Sequence, residues 1–188
     1  MTRMNKIQTI LIIFLCLTAV SCVKEKREAT YNSQEEKIDQ YITKNMYKKS
    51  VVDGKEITDT LTVAYRGGST RLVTQEGNGE ELKADGTVSF YYAAYTFTSS
   101  KGTLFATNHQ ETGEKWGITD PDFSVYNVDM RKTDLIEGLK QGLVGVKSGE
   151  ICQILFSGKY AYGKRPLGII PANSAIMFEI WVQAVSNE

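Results

Sequence analysis

Any chemistry in this 188-residue chain has to be done with few reactive groups. It holds one histidine, His109, in a polar stretch, and no CxxC, HExxH, phosphate-binding loop or histidine-paired serine. A lone histidine among polar residues reads as a surface residue rather than a ligand, so no metal and no cofactor is expected. Most hydrolase and transferase chemistries are thereby excluded. The promising residues lie between Asp134 and Phe178. Ile136, Leu139, Leu143 and Val146 recur at helical spacing in a segment too short to be a helix on its own, so a sheet has to cover one face. Ile151–Phe156 then reads as a strand with Cys152, Ile154 and Phe156 on one side. Tyr160-Ala161-Tyr162-Gly163 follows, then Gly168-Ile169-Ile170-Pro171-Ala172-Asn173-Ser174, and a last strand over 175–185. Helix, strand, aromatic turn, apolar loop and strand, in that order, can wrap one small pocket.

The same residues carry a family likeness. Leu135-Ile136-Glu137-Gly138-Leu139, Gly149-Glu150, Tyr160-Ala161-Tyr162-Gly163, Gly168-Ile169-Ile170-Pro171 with Asn173-Ser174, and the closing Phe178 resemble the second half of the FK506-binding-protein (FKBP) family of peptidyl-prolyl isomerases. More weakly, Gly86-Thr87-Val88-Ser89-Phe90-Tyr91-Tyr92 resembles the strand ending in that family's pocket tyrosine, and Lys101-Gly102-Thr103-Leu104-Phe105 resembles its DG-x-x-F turn. The likeness covers residues 67–186. It implies an α+β, FKBP-like fold: an antiparallel sheet wrapped around one short helix, preceded here by an N-terminal helix.

What the resemblance implies chemically suits a chain so poor in reactive groups. Rotation about a peptide bond costs about 18–20 kcal/mol because amide resonance is lost, yet no bond breaks and neither nucleophile, metal nor cofactor is required. A dry pocket that favours the twisted amide, with donors fixed on its carbonyl, is enough. On the family alignment Tyr92, Phe105, Tyr126, Leu139, Tyr162 and Phe178 receive the proline ring. Leu135 and Ile136 lie where the short helix begins, so the Ile136 amide is one of its free donors; Tyr162 supplies a second donor through its hydroxyl. Ile169 and Ile170 fall in a flap over the pocket. Tyr162, Ile136 and Phe105 are thus the expected catalytic residues. Three departures bear on rate: Ala106 stands where the family commonly has an aspartate, Leu139 where it often has a tryptophan, and the 163–168 loop is about one residue short. Reduced turnover is expected, with the pocket kept. A non-catalytic FKBP-like binding or scaffold module is the alternative. Implied partners are proline-containing polypeptides and, weakly, macrolides of the FK506 type.

The rest of the chain has to deliver and position that domain. Arg3 and Lys6 precede an apolar run, 10–17, too short to span a bilayer but of signal-peptide length. Leu17-Thr18-Ala19-Val20-Ser21-Cys22 resembles a bacterial lipobox, so residues 1–21 are expected to be a lipoprotein signal peptide and Cys22 the acylated anchor, with a signal peptide cut elsewhere as the alternative. Val23 at the next position is not an inner-membrane retention aspartate, so an outer-membrane anchor with a periplasmic domain is expected. Residues 22–32, charged and aperiodic, read as a tether. Ser33-Gln34-Glu35-Glu36 has the form of a capping box, and Ile38, Tyr41 and Ile42 share a face, predicting a helix over 34–48 that is either a stalk on the domain's flank or a dimer or partner contact. One extra strand is predicted over 51–65, completing a 33–66 region before the domain. Cys152 reads as a core residue, with no thiol left to pair with it after processing. Basic and acidic residues balance at 22 each; losing Arg3 and Lys6 with the leader leaves 20 against 22, a net of about −2, which advertises no nucleic-acid surface.

Overall fold

The computed structural model describes residues 6–118 and 122–188, with side chains from residue 23 onward apart from residue 52. Its first element is a long helix, α1 (Lys6–Asn45). Strands β1 (Tyr47–Val52) and β2 (Lys55–Thr60) follow, then β3 (Val63–Arg66) and β4 (Ser69–Gln75). Next come β5 (Thr87–Phe97), β6 (Lys101–Thr107), α2 (Gln110–Lys115) and β7 (Tyr126–Asp129). The chain closes with α3 (Glu137–Leu143), β8 (Ile151–Phe156) and β9 (Ala175–Ser186).

Seven strands make one antiparallel sheet in the order β3-β4-β8-β9-β5-β6, with β7 also paired to β5. The strand β5 joins the two halves of this layout. Along one edge it pairs with β9 for its whole length, while the other edge is shared, Thr87–Phe90 going to β7 and Ala93–Phe97 to β6. Alternation then separates two faces. Phe90, Ala94, Ile154, Phe156, Ile176, Phe178 and Ile180 enter one core with Leu139, Leu143 and Val146 of the α3 region, and Cys152 is fully buried there. This is the antiparallel sheet around one short helix expected from the sequence.

The opposite face is covered at two places. Ile38 and Ile42 of α1 pack on Leu72, Phe97, Leu155 and Met177, and Tyr41 donates its hydroxyl to Gln153 at 3.0 Å. Near the other end Tyr95, Leu104 and Trp181 form a smaller cluster beside α2, where His109 stacks flat on Trp181 at 3.8 Å and its Nδ1 meets Thr112 Oγ1 at 2.9 Å. His109 is therefore packed, not merely a surface residue; among the described residues no His/Cys/Asp/Glu cluster could hold a metal.

Several boundaries differ from the sequence reading. The 23–32 segment is helix, not a tether, and the Ser33–Glu36 box lies inside α1. No Gly or Pro interrupts 6–45, and Tyr31, seven residues before Ile38 and on the same helical face, is buried against the domain with a 2.8 Å bond to Asn173. The helix ends at Asn45, because Tyr47 onward enters a hairpin instead. The predicted single strand over 51–65 is three strands: Asp53 and Gly54, both at positive φ, turn β1 into β2, and β3 then joins the main sheet through β4. The domain sheet thus begins before residue 67. The polar stretch after Phe105 contains the end of β6 and α2. Arg3 lies outside the described residues, as does the side chain of Cys22; no helix among the described residues is long and apolar enough to cross a membrane.

Candidate functional site

The site is assembled from the inner face of β5, β6, β7 and β9 and the start of α3, and α3 must be held firmly for it to exist. Two glycines let the helix lie close on β8. A Cβ at Gly138 would come within 2.2 Å of the Phe156 ring, and one at Gly142 within 2.2 Å of Ile154 Cγ2. The C-terminal end is clasped by Arg71 of β4, which donates to the carbonyls of Gly142 and Val144 at 2.9 Å each and of Gly145 at 3.0 Å. A cation at the carbonyl end of a helix is favourably placed for both hydrogen bonding and the helix dipole. Arg71 in turn pairs with Glu150 at 3.4 Å, both residues buried. Glu150 also accepts the Lys147 amide, and burial raises its carboxyl pKa, with Arg71 working in the lowering direction. At the other end the Ser69 hydroxyl donates to the Gly138 carbonyl, and the Gly138 amide donates to Tyr160 at 2.9 Å.

Between this helix and the sheet lies a pocket of about 340 Å³. Phe90, Tyr92 and Ala94 reach it from β5 by simple alternation. Phe105 and Ala106, though consecutive, both reach it from β6, because the pairing shifts register between Ala94–Ala106 and Tyr95–Leu104 and a bulge turns both inward. Tyr126 comes from β7, Phe178 from β9, Tyr162 from the loop after β8, and Asp134, Leu135, Ile136 and Leu139 from the approach to α3 and its first turn. The walls are aromatic. Phe178 lies 6.0 Å from Tyr92, 6.4 Å from Phe105 and 6.1 Å from Phe156 by ring centres, while Phe90 and Tyr126 meet edge to face at 5.5 Å. A groove of similar size near Asp129 and Ser186, about 390 Å³, has no aromatic lining.

Among the lining residues, the hydroxyls of Tyr92, Tyr126 and Tyr162 and the amide of Ile136, which is the residue before the first turn of α3, have no protein acceptor among the described residues. Burial raises the pKa of Tyr92 and Tyr162, in Tyr92 assisted by Tyr126 and Tyr162, so both stay protonated donors at neutral pH. A group entering this pocket would find apolar walls around a ring and N–H and O–H groups for one oxygen.

Of the residues expected from the sequence, Tyr92, Phe105, Tyr126, Leu135, Ile136, Leu139, Tyr162 and Phe178 are brought together here. Ile169 and Ile170 are not. Ile170 is turned into the core and closes the short bridge to Leu167, which leaves Ile169 of the same turn 65% exposed, and neither forms pocket wall. Phe90, Ala94 and Asp134 are lining residues that the sequence reading missed. So is Asn108, buried just past β6, as a support. Its side chain accepts the Tyr92 amide at 2.6 Å and donates to the Ser124 carbonyl at 2.9 Å, filling the gap in β5 pairing between β7 and β6. Nothing in its sequence context distinguishes it from the polar residues around it.

The loop bearing Tyr162 is fixed at both ends to α1. Gly158 donates to Gln34 at 2.9 Å and Ser157 to Glu35 at 3.0 Å, while Asn173 receives Tyr31 at 2.8 Å and, on its carbonyl, Gln34 at 2.7 Å.

Comparison with known proteins agrees with this geometry. Residues 78–183 match the profile of the FKBP-type peptidyl-prolyl cis-trans isomerase family. The chain is 29% identical over 147 residues to the FKBP-type peptidyl-prolyl cis-trans isomerase FkpA of Buchnera aphidicola, covering 78% of this chain but only 52% of that protein. It is 31% identical over 121 residues to FK506-binding protein 1A of Neurospora crassa, covering 63% of this chain and 89% of the relative. Among solved structures, a peptidyl-prolyl cis-trans isomerase of Pseudomonas syringae superposes with a TM-score of 0.56 at 18% identity, over 85% of this chain and 96% of that one. FkpA of Escherichia coli gives 0.52 at 19% identity, over 98% and 75%. At such identities these two speak for the fold alone. The sequence match, which spans more than half of the chain and contains the whole pocket, places this protein in the FKBP-type peptidyl-prolyl cis-trans isomerase family.

Proposed function

We propose that this chain catalyses cis/trans rotation of X-Pro bonds in exported polypeptides, as a folding helper, with modest turnover. The observation that carries the reading is the aromatic pocket with Tyr92, Tyr162 and Ile136 donors left unpartnered at its wall. Proline enters between Phe105, Tyr126, Leu139 and Phe178. Burying the ring excludes water from the adjoining amide, which disfavours the planar, strongly solvated ground state relative to the twisted one. As the carbonyl turns out of the amide plane, the Ile136 amide and a tyrosine hydroxyl receive its oxygen, and donors already in place cost no reorganisation at that moment. No proton is transferred and no cofactor takes part. Ala106 leaves the pocket without a carboxylate at that point of β6, so orientation is looser and the rate lower; Asp134 is the one carboxylate among the lining residues. Weak occupancy by FK506-type macrolides belongs to the same reading.

The decisive experiment is NMR exchange or protease-coupled isomerisation on a panel of short X-Pro peptides. Catalysis that falls in Tyr162→Phe and Phe105→Ala supports the enzyme. Binding of the same peptides without acceleration favours the second reading, a non-catalytic binding module, for which Ala106 is the specific observation.

For location we propose a lipid anchor at Cys22, with the domain in the periplasm and the anchor in the outer membrane. Its support is the run of small residues ahead of Cys22. Mass spectrometry of membrane-extracted protein should find a chain beginning at an acylated Cys22; an unmodified Cys22 in the mature chain would refute the anchor.

A further inference from the structure

The hairpin β1–β2 lies outside the family domain and outside its sheet. The two strands pair only with each other, and every residue of β2 is exposed. Only its base is tied down, where the Leu61 amide donates to the Met46 carbonyl at 2.7 Å. A two-stranded ribbon on its own is marginal in water, and three or more strands are needed for independent stability. Of the devices that blunt an edge, β2 carries charges, Lys55, Glu56 and Asp59, but neither a proline nor a bulge, its register with β1 running unbroken from Tyr47–Thr60 to Val52–Lys55.

That edge matches itself. The two-residue turn at Asp53-Gly54 makes Val52–Lys55 a hydrogen-bonded pair, so alternation leaves the backbone groups of Glu56, Thr58 and Thr60 pointing away from β1. A second β2 strand, antiparallel and related by a two-fold axis, can pair only in registers that bring two such outward residues together. The like-charge register Glu56–Asp59 is excluded by this parity. The register centred on Ile57 is allowed. It exchanges bonds between Glu56 and Thr58 of the other copy, and sets Ile57 against Ile57 and Lys55 against Asp59 twice, all three on one face. Within each hairpin Asp59 already faces Lys48, so charge alternates Lys48, Asp59, Lys55 across the new sheet. Centring on Glu56 puts carboxylate on carboxylate, and centring on Thr58 leaves Ile57 facing Asp59. The other edge, β1, has Lys48 and Lys49 and no acid, and so has nothing to offer a second β1.

We infer that two copies of this chain associate through β2, in the Ile57-centred antiparallel register, to form a four-stranded sheet β1-β2-β2-β1. Such an interface is isologous and closes on itself. Directly opposed side chains in a non-hydrogen-bonded pair have Cβ atoms about 4.5–5.5 Å apart, within reach of a disulfide after slight adjustment.

The test uses the full chain in detergent, with protein mass measured by light scattering and folding followed by circular dichroism. The wild type should have twice the chain mass. Lys55→Asp faces two carboxylates with two more, and Asp59→Lys two ammonium groups with two more, so each alone should be monomeric. In an equal mixture the first variant brings an acid at both positions and the second a base at both. Every opposed pair between them is then of opposite charge, and the doubled mass should return as a heterodimer. Under mild oxidation Ile57→Cys should give a cross-linked dimer in excess of the wild type treated alongside, and Val51→Cys should not. A monomeric wild type overturns the inference, as does a dimer unchanged in Lys55→Asp, or a mixture of the two charge variants that stays monomeric while both remain folded.

Discussion

Replacing Arg71 by methionine, which keeps most of the side chain's length and apolar contact, should loosen the pocket helix without touching the pocket. Arg71 gives three bonds of 2.9–3.0 Å to the carbonyls of Gly142, Val144 and Gly145 and faces Glu150 at 3.4 Å. Glu150 is 2% exposed, so the variant strands a buried carboxylate, and breaking a buried pair from one side costs about 3–5 kcal/mol. The freed carbonyls add to this, though not additively, since they share the same partner. Against a typical total of about 5–15 kcal/mol the loss is large. It should also depend on pH in a definite sense. Burial already raises the Glu150 pKa, and losing Arg71 removes the cause that lowers it. A carboxyl whose pKa is higher folded than unfolded holds its proton more tightly when folded. Its contribution is therefore fully present below the unfolded value and is lost as pH rises through the folded one. Urea titrations followed by tryptophan fluorescence should accordingly show Arg71→Met most destabilised near pH 7 and partly recovered towards about pH 5. Adding Glu150→Gln should remove the pH slope and return part of the stability. A loss under about 1 kcal/mol with no pH slope would refute the assignment of Arg71 as the clamp.

Other expected outcomes can be checked separately. Ala106→Asp should raise catalysed X-Pro exchange, by up to about a hundredfold if orientation is what is missing, measured by NMR exchange with folding checked alongside. Because burial raises the pKa of Tyr92 and Tyr162, the rate should stay flat through neutral pH and fall only above the ordinary tyrosine value, when the hydroxyl donors ionise. Gly142→Ala should cost about 1–3 kcal/mol by overpacking against Ile154, read as a lowered denaturant midpoint. A fragment starting at residue 67 loses β3 and uncovers Leu72, Leu155 and Met177, so it should be markedly less stable than the intact chain, each lost Ile38 or Ile42 contact forfeiting about 1.5–3 kcal/mol.

What the sequence revealed and what it hid follow from the range of the interactions. The α3–β8–β9 region is legible because its signals are local: helical spacing at Leu139, Leu143 and Val146, alternation at Cys152, Ile154 and Phe156, and short motifs in a known order. The pocket residues are legible for the same reason, and only through the family likeness; Tyr92 and Phe178 alone are indistinguishable from core aromatics. Residues 23–32 mislead because an aperiodic charged run looks unstructured, whereas Tyr31 owes its burial to Asn173, far away in the chain. The hairpin is hidden when Tyr47 and Lys48 are given to the helix, which leaves the Asp53-Gly54 turn without a first strand. Ile170 belongs to a flap on the family pattern, but the turn with Gly168 at positive φ and the Leu167–Ile170 bridge sends Ile170 into the core while Leu167 and Ile169 stay exposed. Asn108 acts through partners on two other segments, which no local pattern announces.

The stitching of α1 to Ser157, Gly158 and Asn173 has a consequence for how the molecule loosens. The segment that carries Tyr162 is a closed loop whose two feet stand on neighbouring turns of a single helix, from Tyr31 to Glu35. Its ends are brought together by the pairing of Phe156 with Ile176, and Asn173 donates to the Gly163 carbonyl across it at 2.6 Å; the docked helix adds a second set of ties at both feet. Peeling the helix away would therefore release both feet together. The tyrosine would then be held by the loop's own bonds and by the Gly138–Tyr160 tie alone, and its aim would loosen before any strand of the sheet had parted. Helix and loop should exchange their amide protons as one cooperative unit, at a lower opening energy than β5 or β9, even though they are separated by more than a hundred residues of chain.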